Sequence, residues 1–217
     1  MTSATKKIKE VIGLIDRSGS MNGKENDTIG GINTMLTELK QNADPDLEIR
    51  VSIKYFNDTE TLFWRSVSLE SVTLLDVDSY VPDGQTALLD SLGKTVQYFM
   101  EKYLKDNNAY YSCIIYVATD GLDTCSKLYK KSSLKKMITS AKENYNIEVI
   151  YLGANQDAIT EASLIGIPES QAINYSEDHE STQSVYRAVA RIASSGERRL
   201  DKDSGFLEYE RSRSNKR

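Results

Sequence analysis

Strand-like and helix-like stretches alternate along this chain, the pattern of a parallel sheet with helices on both faces. Lys9 to Ile15 (KEVIGLI) predicts a buried strand. From Asp27 to Asn42 the residues Ile29, Ile32, Leu36 and Leu39 recur on one helical face. Leu47, Ile49, Val51, Ile53 and Tyr55 alternate through a second strand ending at Phe56, and Thr61 to Val67 follows the turn residues Asn57 and Asp58 as its hairpin partner. After a loop-rich stretch from Ser68 to Gln85, the residues Leu88, Leu92, Val96 and Phe99 mark the buried stripe of a helix from Thr86 to the neighbourhood of Leu104. Ser112 to Ala118 (SCIIYVA) is nearly unbroken in apolar residues, which puts it at the centre of the sheet. A helix capped by Ser126 or Ser133 then runs to Tyr145, and Ile147 to Leu152 forms a fifth strand. Ala154 to Leu164 predicts a short helix stopped by Gly166 and Pro168, Gln171 to Asn174 a short edge strand, and Ser181 to Ser194 a last helix. The expected architecture is a doubly wound α/β fold: a mostly parallel sheet with one antiparallel edge strand and helices on both faces.

Beyond Ser195 the periodicity dissolves. Residues 196–217 mix seven Lys/Arg with five Asp/Glu around one apolar cluster, Phe206, Leu207 and Tyr209, and read as a charged mobile tail on a domain of residues 1–195. A length of 217 residues suits one domain with such an appendage. The net charge is −5, and because the tail is basic the body is more acidic still, which argues against a nucleic-acid partner. Uninterrupted apolar runs are a handful of residues long, so no membrane-spanning helix is expected, and Val11 to Ile15 is too short for a secretory signal. The expectation is a cytoplasmic monomer. Cys113, in an apolar run, and Cys125, in a loop, form neither a zinc pattern nor a disulfide framework and are expected to be reduced thiols.

Candidate chemistry gathers at the carboxyl edge of the sheet, where open parallel sheets hold their ligand crevice. Asp16-Arg17-Ser18-Gly19-Ser20-Met21 follows the first strand, Gly84-Gln85-Thr86 opens a helix, and Thr119-Asp120-Gly121 follows the central strand. Two carboxylates and three hydroxyls are hard oxygen donors, suited to magnesium or manganese more than to zinc, which favours His or Cys. Taken singly, the first segment is equally an Asx-turn with a helix cap, Thr86 a plain N-cap and the third segment a plain turn.

Taken together, the DxSxS run of Asp16, Ser18 and Ser20, Thr86 in a GxT motif and Asp120 in a TDG motif resemble the metal-ion-dependent adhesion site of von Willebrand factor type A domains, with a similar order of elements over roughly residues 8 to 195. The resemblance implies a Rossmann-like fold and a bound Mg2+ or Mn2+, with Ca2+ also accommodated. It implies that Ser18, Ser20 and Thr86 contact the ion directly and that Asp16 and Asp120 act through water. It further implies a protein partner that donates an Asp or Glu to the ion. Ser91 stands where many members have alanine after the helix aspartate, here Asp90, a mild departure. Asp90 is expected to support the loop, and Asp123 and His179 to face solvent.

Three functions follow in descending order: a metal-dependent protein-interaction module, a scaffold or assembly factor that uses the same surface without the ion, and a metal-dependent hydrolase. No general base accompanies the five site residues, so an enzyme is not expected. Nucleotide binding fails at the spacing, because Gly19-x-x-x-Gly23-Lys24 is one residue short of a P-loop and Glu25 occupies the place of its Ser or Thr.

Overall fold

The computed structural model describes residues 6–106, 110–154 and 157–215, the side chain of Phe63 excepted. The chain runs β1 (Lys7–Asp16), α1 (Glu25–Asn42), β2 (Leu47–Phe56), β3 (Glu60–Ser68), α2 (Leu88–Lys105), β4 (Ser112–Thr119), α3 (Lys131–Tyr145), β5 (Ile147–Ala154), α4 (Ala158–Leu164), β6 (Ala172–Tyr175), α5 (His179–Ser194) and α6 (Glu208–Ser214). The strands form one six-stranded sheet in the order β3-β2-β1-β4-β5-β6. Only the β2–β3 pairing at the edge is antiparallel.

The alternation of apolar side chains assigns the two faces. Val11 and Ile15 of β1, with Leu47, Ile49, Val51, Ile53 and Tyr55 of β2, meet Ile29, Ile32, Leu36 and Leu39 of α1 and the apolar face of α5. Ile12 and Leu14, pointing the opposite way, meet Leu88, Leu92, Val96 and Phe99 of α2 and residues of α3 and α4. Every residue of β4 and β5 is buried, because each of these strands has neighbours on both sides and helices on both faces. The doubly wound α/β expectation, with its single antiparallel edge strand, is met. Among the described residues no helix is long and apolar enough to cross a membrane.

Several boundaries differ from expectation. The second helix opens at Leu88, which leaves Thr86 in the loop before it. Ser133 lies inside α3 and accepts from the Lys130 N–H at 3.1 Å, so neither Ser126 nor Ser133 is the residue before the helix. Ala154 completes β5, and α4 starts after Asp157, whose carboxylate accepts from the Thr160 N–H at 3.0 Å; Asn155 and Gln156, placed in that helix by the sequence pattern, lie outside the described residues.

The larger correction concerns the C-terminal segment. Residues 196–215 are not a free tail: Leu200 and Phe206 are buried in the core on the α1–α5 side, and Glu208–Ser214 form α6. The Leu200 N–H donates to the buried Glu148 at 3.1 Å, Arg191 grips Glu210 through two hydrogen bonds of 2.7 and 2.9 Å, and Arg211 donates to the Ala172 carbonyl at 2.8 Å. The Ser214 carbonyl accepts from the Ser176 N–H at 2.7 Å, which ties α6 to the end of β6. Charge-assisted contacts do here what a periodic apolar face does elsewhere. Residues 216–217 lie outside the described residues.

Candidate metal centre

Strand β1 delivers Asp16 to the carboxyl edge of the sheet, where its side chain is wholly buried. One carboxylate oxygen accepts from the Ser18 N–H at 2.8 Å, closing an Asx-turn, and the other accepts from the Thr119 hydroxyl at 2.6 Å at the end of the neighbouring β4. Tyr80, in the loop before α2, donates its hydroxyl to the Asp16 carbonyl. Burial pushes the Asp16 carboxyl above the usual carboxylate range; the Thr119 and Ser18 hydrogen bonds oppose the rise and the charge of Asp120 adds to it.

A chain of oxygens leads outward from this turn. The Ser18 and Ser20 hydroxyls lie 3.1 Å apart, and Ser20 donates to Asp120 at 2.7 Å. The other oxygen of Asp120 is held by the ammonium of Lys24, which also pairs with Glu177 after β6. Burial works against the Lys24 charge, but these two carboxylates outweigh it and hold the ammonium above its ordinary value.

Thr86 arrives from a separate loop, docked by backbone contacts. The Gly19 N–H donates to the Gly84 carbonyl at 3.0 Å, and the Asp83 N–H donates to the Arg17 carbonyl at 2.8 Å. Gly84 has φ +76°, and a Cβ there would sit 2.3 Å from a carboxylate oxygen of Asp58, so only glycine suits the place where this loop crosses the β2–β3 turn. The Thr86 carbonyl accepts from the Thr124 and Cys125 N–H groups at 2.9 and 3.2 Å, and its own N–H donates to the Thr124 hydroxyl at 3.0 Å. The Thr86 side chain is buried, and its hydroxyl makes no hydrogen bond to any described residue.

Thus Asp16, Ser18, Ser20 and Asp120 form one connected cluster, and Thr86 joins it through backbone neighbours. Asp90 supports the loop as expected: three consecutive N–H groups, of Lys127, Leu128 and Tyr129, donate to it at 2.8 to 2.9 Å. Burial acts against its charge, but those donors hold its carboxyl below the usual range. Asp123 departs from expectation. It is half-buried and accepts from the Leu89 N–H at 3.1 Å, capping the first turn of α2 from another segment. His179 does face solvent, with Asp27 at 2.9 Å from its ring nitrogen. Sequence reasoning placed Thr119 at this edge without a role of its own, and did not find Lys24, Glu177 or Tyr80 there; nothing in the local pattern of those three distinguishes them from solvated or core residues.

The donor set fits a hard divalent ion. Two carboxylates would balance its charge, three hydroxyl oxygens would offer neutral ligands, and the hydroxyl of the buried Thr86 is not spent on a hydrogen bond to another described residue. Among the described residues no group of three or more His, Cys, Asp or Glu side chains converges, so a thiolate–imidazole zinc site is not built here.

A model of the von Willebrand factor type A domain matches residues 10–188 of the chain. No curated protein sequence matches it. Solved structures of similar fold include a mussel byssus protein, proximal thread matrix protein 1 with a zinc-occupied MIDAS motif (TM-score 0.56, 16% identity over 85% of this chain and 46% of that one). They also include the pilus adhesin SpaC of Lactobacillus rhamnosus GG (TM-score 0.66, 12% identity, 87% and 30%) and the manganese-loaded TRAP protein of Plasmodium vivax (TM-score 0.54, 18% identity, 79% and 69%). The chain spans less than half of the mussel protein and under a third of the pilus adhesin.

Proposed function

Because the chain belongs to the von Willebrand factor type A domain family, we propose that it is a protein-interaction module whose contact face is centred on a divalent ion at Asp16, Ser18, Ser20, Thr86 and Asp120. The observation that carries this reading is the convergence of all five residues, from three segments far apart in sequence, on one edge of the sheet. Ser18, Ser20 and Thr86 are the neutral oxygen ligands, and Asp16 and Asp120 supply charge from behind them. A bound ion supplies a Lewis-acidic position that a partner's carboxylate fills. The chain's own contribution is to hold the hydroxyls in place: the Asx-turn at Asp16 aims Ser18, and the Thr124 and Cys125 contacts fix Thr86. Magnesium or manganese suits the donors best. The manganese-loaded TRAP protein and the zinc-occupied mussel protein support a divalent ion in general and leave its identity to measurement.

The partner is a protein presenting an Asp or Glu side chain, with neutral or basic surroundings, since the chain itself carries a net charge of −5. One observation favours the ion-free scaffold as a second reading: Lys24 already neutralises Asp120. The test is calorimetric titration of Mg2+ and Mn2+ into the purified chain, followed by partner capture with and without chelator. One weakly bound ion per chain, lost in Asp16→Ala, and capture that chelator abolishes are expected. A partner indifferent to chelator, to Asp16→Ala and to Thr86→Ala would move the function to the scaffold reading.

A further inference from the structure

Lys24 is an unusual neighbour for a cation site. It stands immediately before α1, where a positive side chain works against the helix dipole, so the helix does not account for its placement. What holds it is Asp120 on one side and Glu177 on the other. Its side chain is about a quarter exposed while that of Asp120 is 3% exposed, so the ammonium closes over a carboxylate that is otherwise hidden. Both oxygens of Asp120 are then engaged: Ser20 donates to one and Lys24 to the other.

We propose that Lys24 is a built-in competitor for the divalent ion, a tethered monovalent cation that neutralises Asp120 in the ion-free protein and is displaced toward Glu177 when the ion binds. The proposal rests on the metal-centre reading and deepens it by naming the residue that sets the ion's affinity. Three observations carry it. A like charge one carboxylate away from the ion raises the cost of loading, because two cations then share Asp120. Glu177 already bonds the ammonium, so a place for the displaced charge exists without rearranging the fold. Among the ion pairs of the described residues Lys24 is the cation that meets Asp120, so it offsets the charge of that aspartate. The consequence is coupling: the loop carrying Glu177, after β6, senses through Lys24 whether the ion is present, although it supplies no ligand.

The test is a double-mutant cycle on the full chain, read as ion affinity by calorimetry and by manganese electron paramagnetic resonance. Lys24→Gln is expected to tighten Mg2+ and Mn2+ binding by about tenfold, between the few-fold worth of one close charge pair in bulk water and its larger worth near a protein surface. Glu177→Gln removes the place to which Lys24 retreats and is expected to weaken binding severalfold in the wild-type background but far less in the Lys24→Gln background. The Lys24 ammonium signal followed by nitrogen-15 NMR should shift on ion addition in the wild type. If the wild type binds the ion and Lys24→Gln binds it equally or less well, the competitor role is overturned and the metal centre stands. If Glu177→Gln costs the same in both backgrounds, its effect is plain charge and the retreat is overturned. If neither the wild type nor Lys24→Gln binds at millimolar ion, with both folded by circular dichroism, the metal-centre reading itself falls and the proposal with it.

Discussion

Lys9 lies wholly inside the molecule and donates from its ammonium to the carbonyl of Ser195 at 2.5 Å. A second hydrogen bond, 3.1 Å long, reaches the Glu197 carbonyl. A residue near the start of β1 thus satisfies the carbonyl of Ser195, at the end of α5 where helix geometry leaves such groups without partners, and the Glu197 carbonyl in the segment beyond.

Burial lowers the Lys9 ammonium to about 8 from an ordinary 10.5, with Glu197 and Asp44 opposing the fall. The folded value lies below the unfolded one, so between these two pH values the unfolded chain keeps a proton that the native protein has lost. Stability therefore rises with pH across that window, by up to about 3 kcal/mol. Urea denaturation at about pH 7 and about pH 9.5 should show the wild type gaining relative to Lys9→Met; parallel pH profiles would mean that Lys9 is not the titrating group.

Asp16 has the opposite sign. Its carboxyl is raised by burial, so its charged form at neutral pH costs stability, and that cost disappears as pH falls to the ordinary carboxylate range. In the ion-free protein Asp16→Asn, which keeps an oxygen to accept from Ser18, should melt at a higher temperature than the wild type at neutral pH, with the difference shrinking toward pH 4. Added Mg2+ should stabilise the wild type and leave the variant unchanged. A variant that melts lower at neutral pH would make the charged Asp16 a structural requirement.

Two adjacent glycines in α1 should respond differently to the same substitution. A Cβ on Gly31 would lie 2.3 Å from the ring of Tyr186, a fully buried side chain of α5, whereas one on Gly30 meets only the end of Gln183 at 3.2 Å. Gly31→Ala should cost about 1 to 3 kcal/mol by overpacking. Gly30→Ala should fall between neutral and about 1 kcal/mol stabilising, since alanine is the better helix former. Chemical denaturation of both variants checks the pair; equal effects would place the α1–α5 contact elsewhere.

Truncation after Ser195 should destabilise the protein. It removes the buried side chains of Leu200 and Phe206 and takes the Leu200 N–H from the buried Glu148. Burial of two such side chains is worth about 3 to 6 kcal/mol. Loss on that scale, measured by urea denaturation or seen as failure to accumulate soluble protein, is expected. A truncated chain as stable as the full one would restore the mobile tail.

The strands, most of the helices and the candidate ion ligands were legible in the sequence because each rests on a local signal. A period of two or 3.6 residues reports which face is buried, DxSxS and TDG each begin on the last residue of a strand, and GxT lies in the loop just before α2. Their assembly at one edge follows from parallel strand order, which aligns the carboxyl ends of β1 and β4. Tertiary structure decided what depends on partners distant in sequence. Lys24 looks like any residue ahead of a helix until the fold brings Asp120 and Glu177 to it, and Asp123 looks like a loop carboxylate until it meets the start of α2. Residues 196–215 show no period because only a few of their side chains enter the core; the rest of the docking is made by Arg191 on Glu210, Arg211 on Ala172 and Lys9 on Ser195. Such contacts join one charged or polar group to one distant acceptor, and a single residue repeats at no interval. Periodicity reports a continuous buried face, so docking made of separate point contacts appears only once the chain has folded.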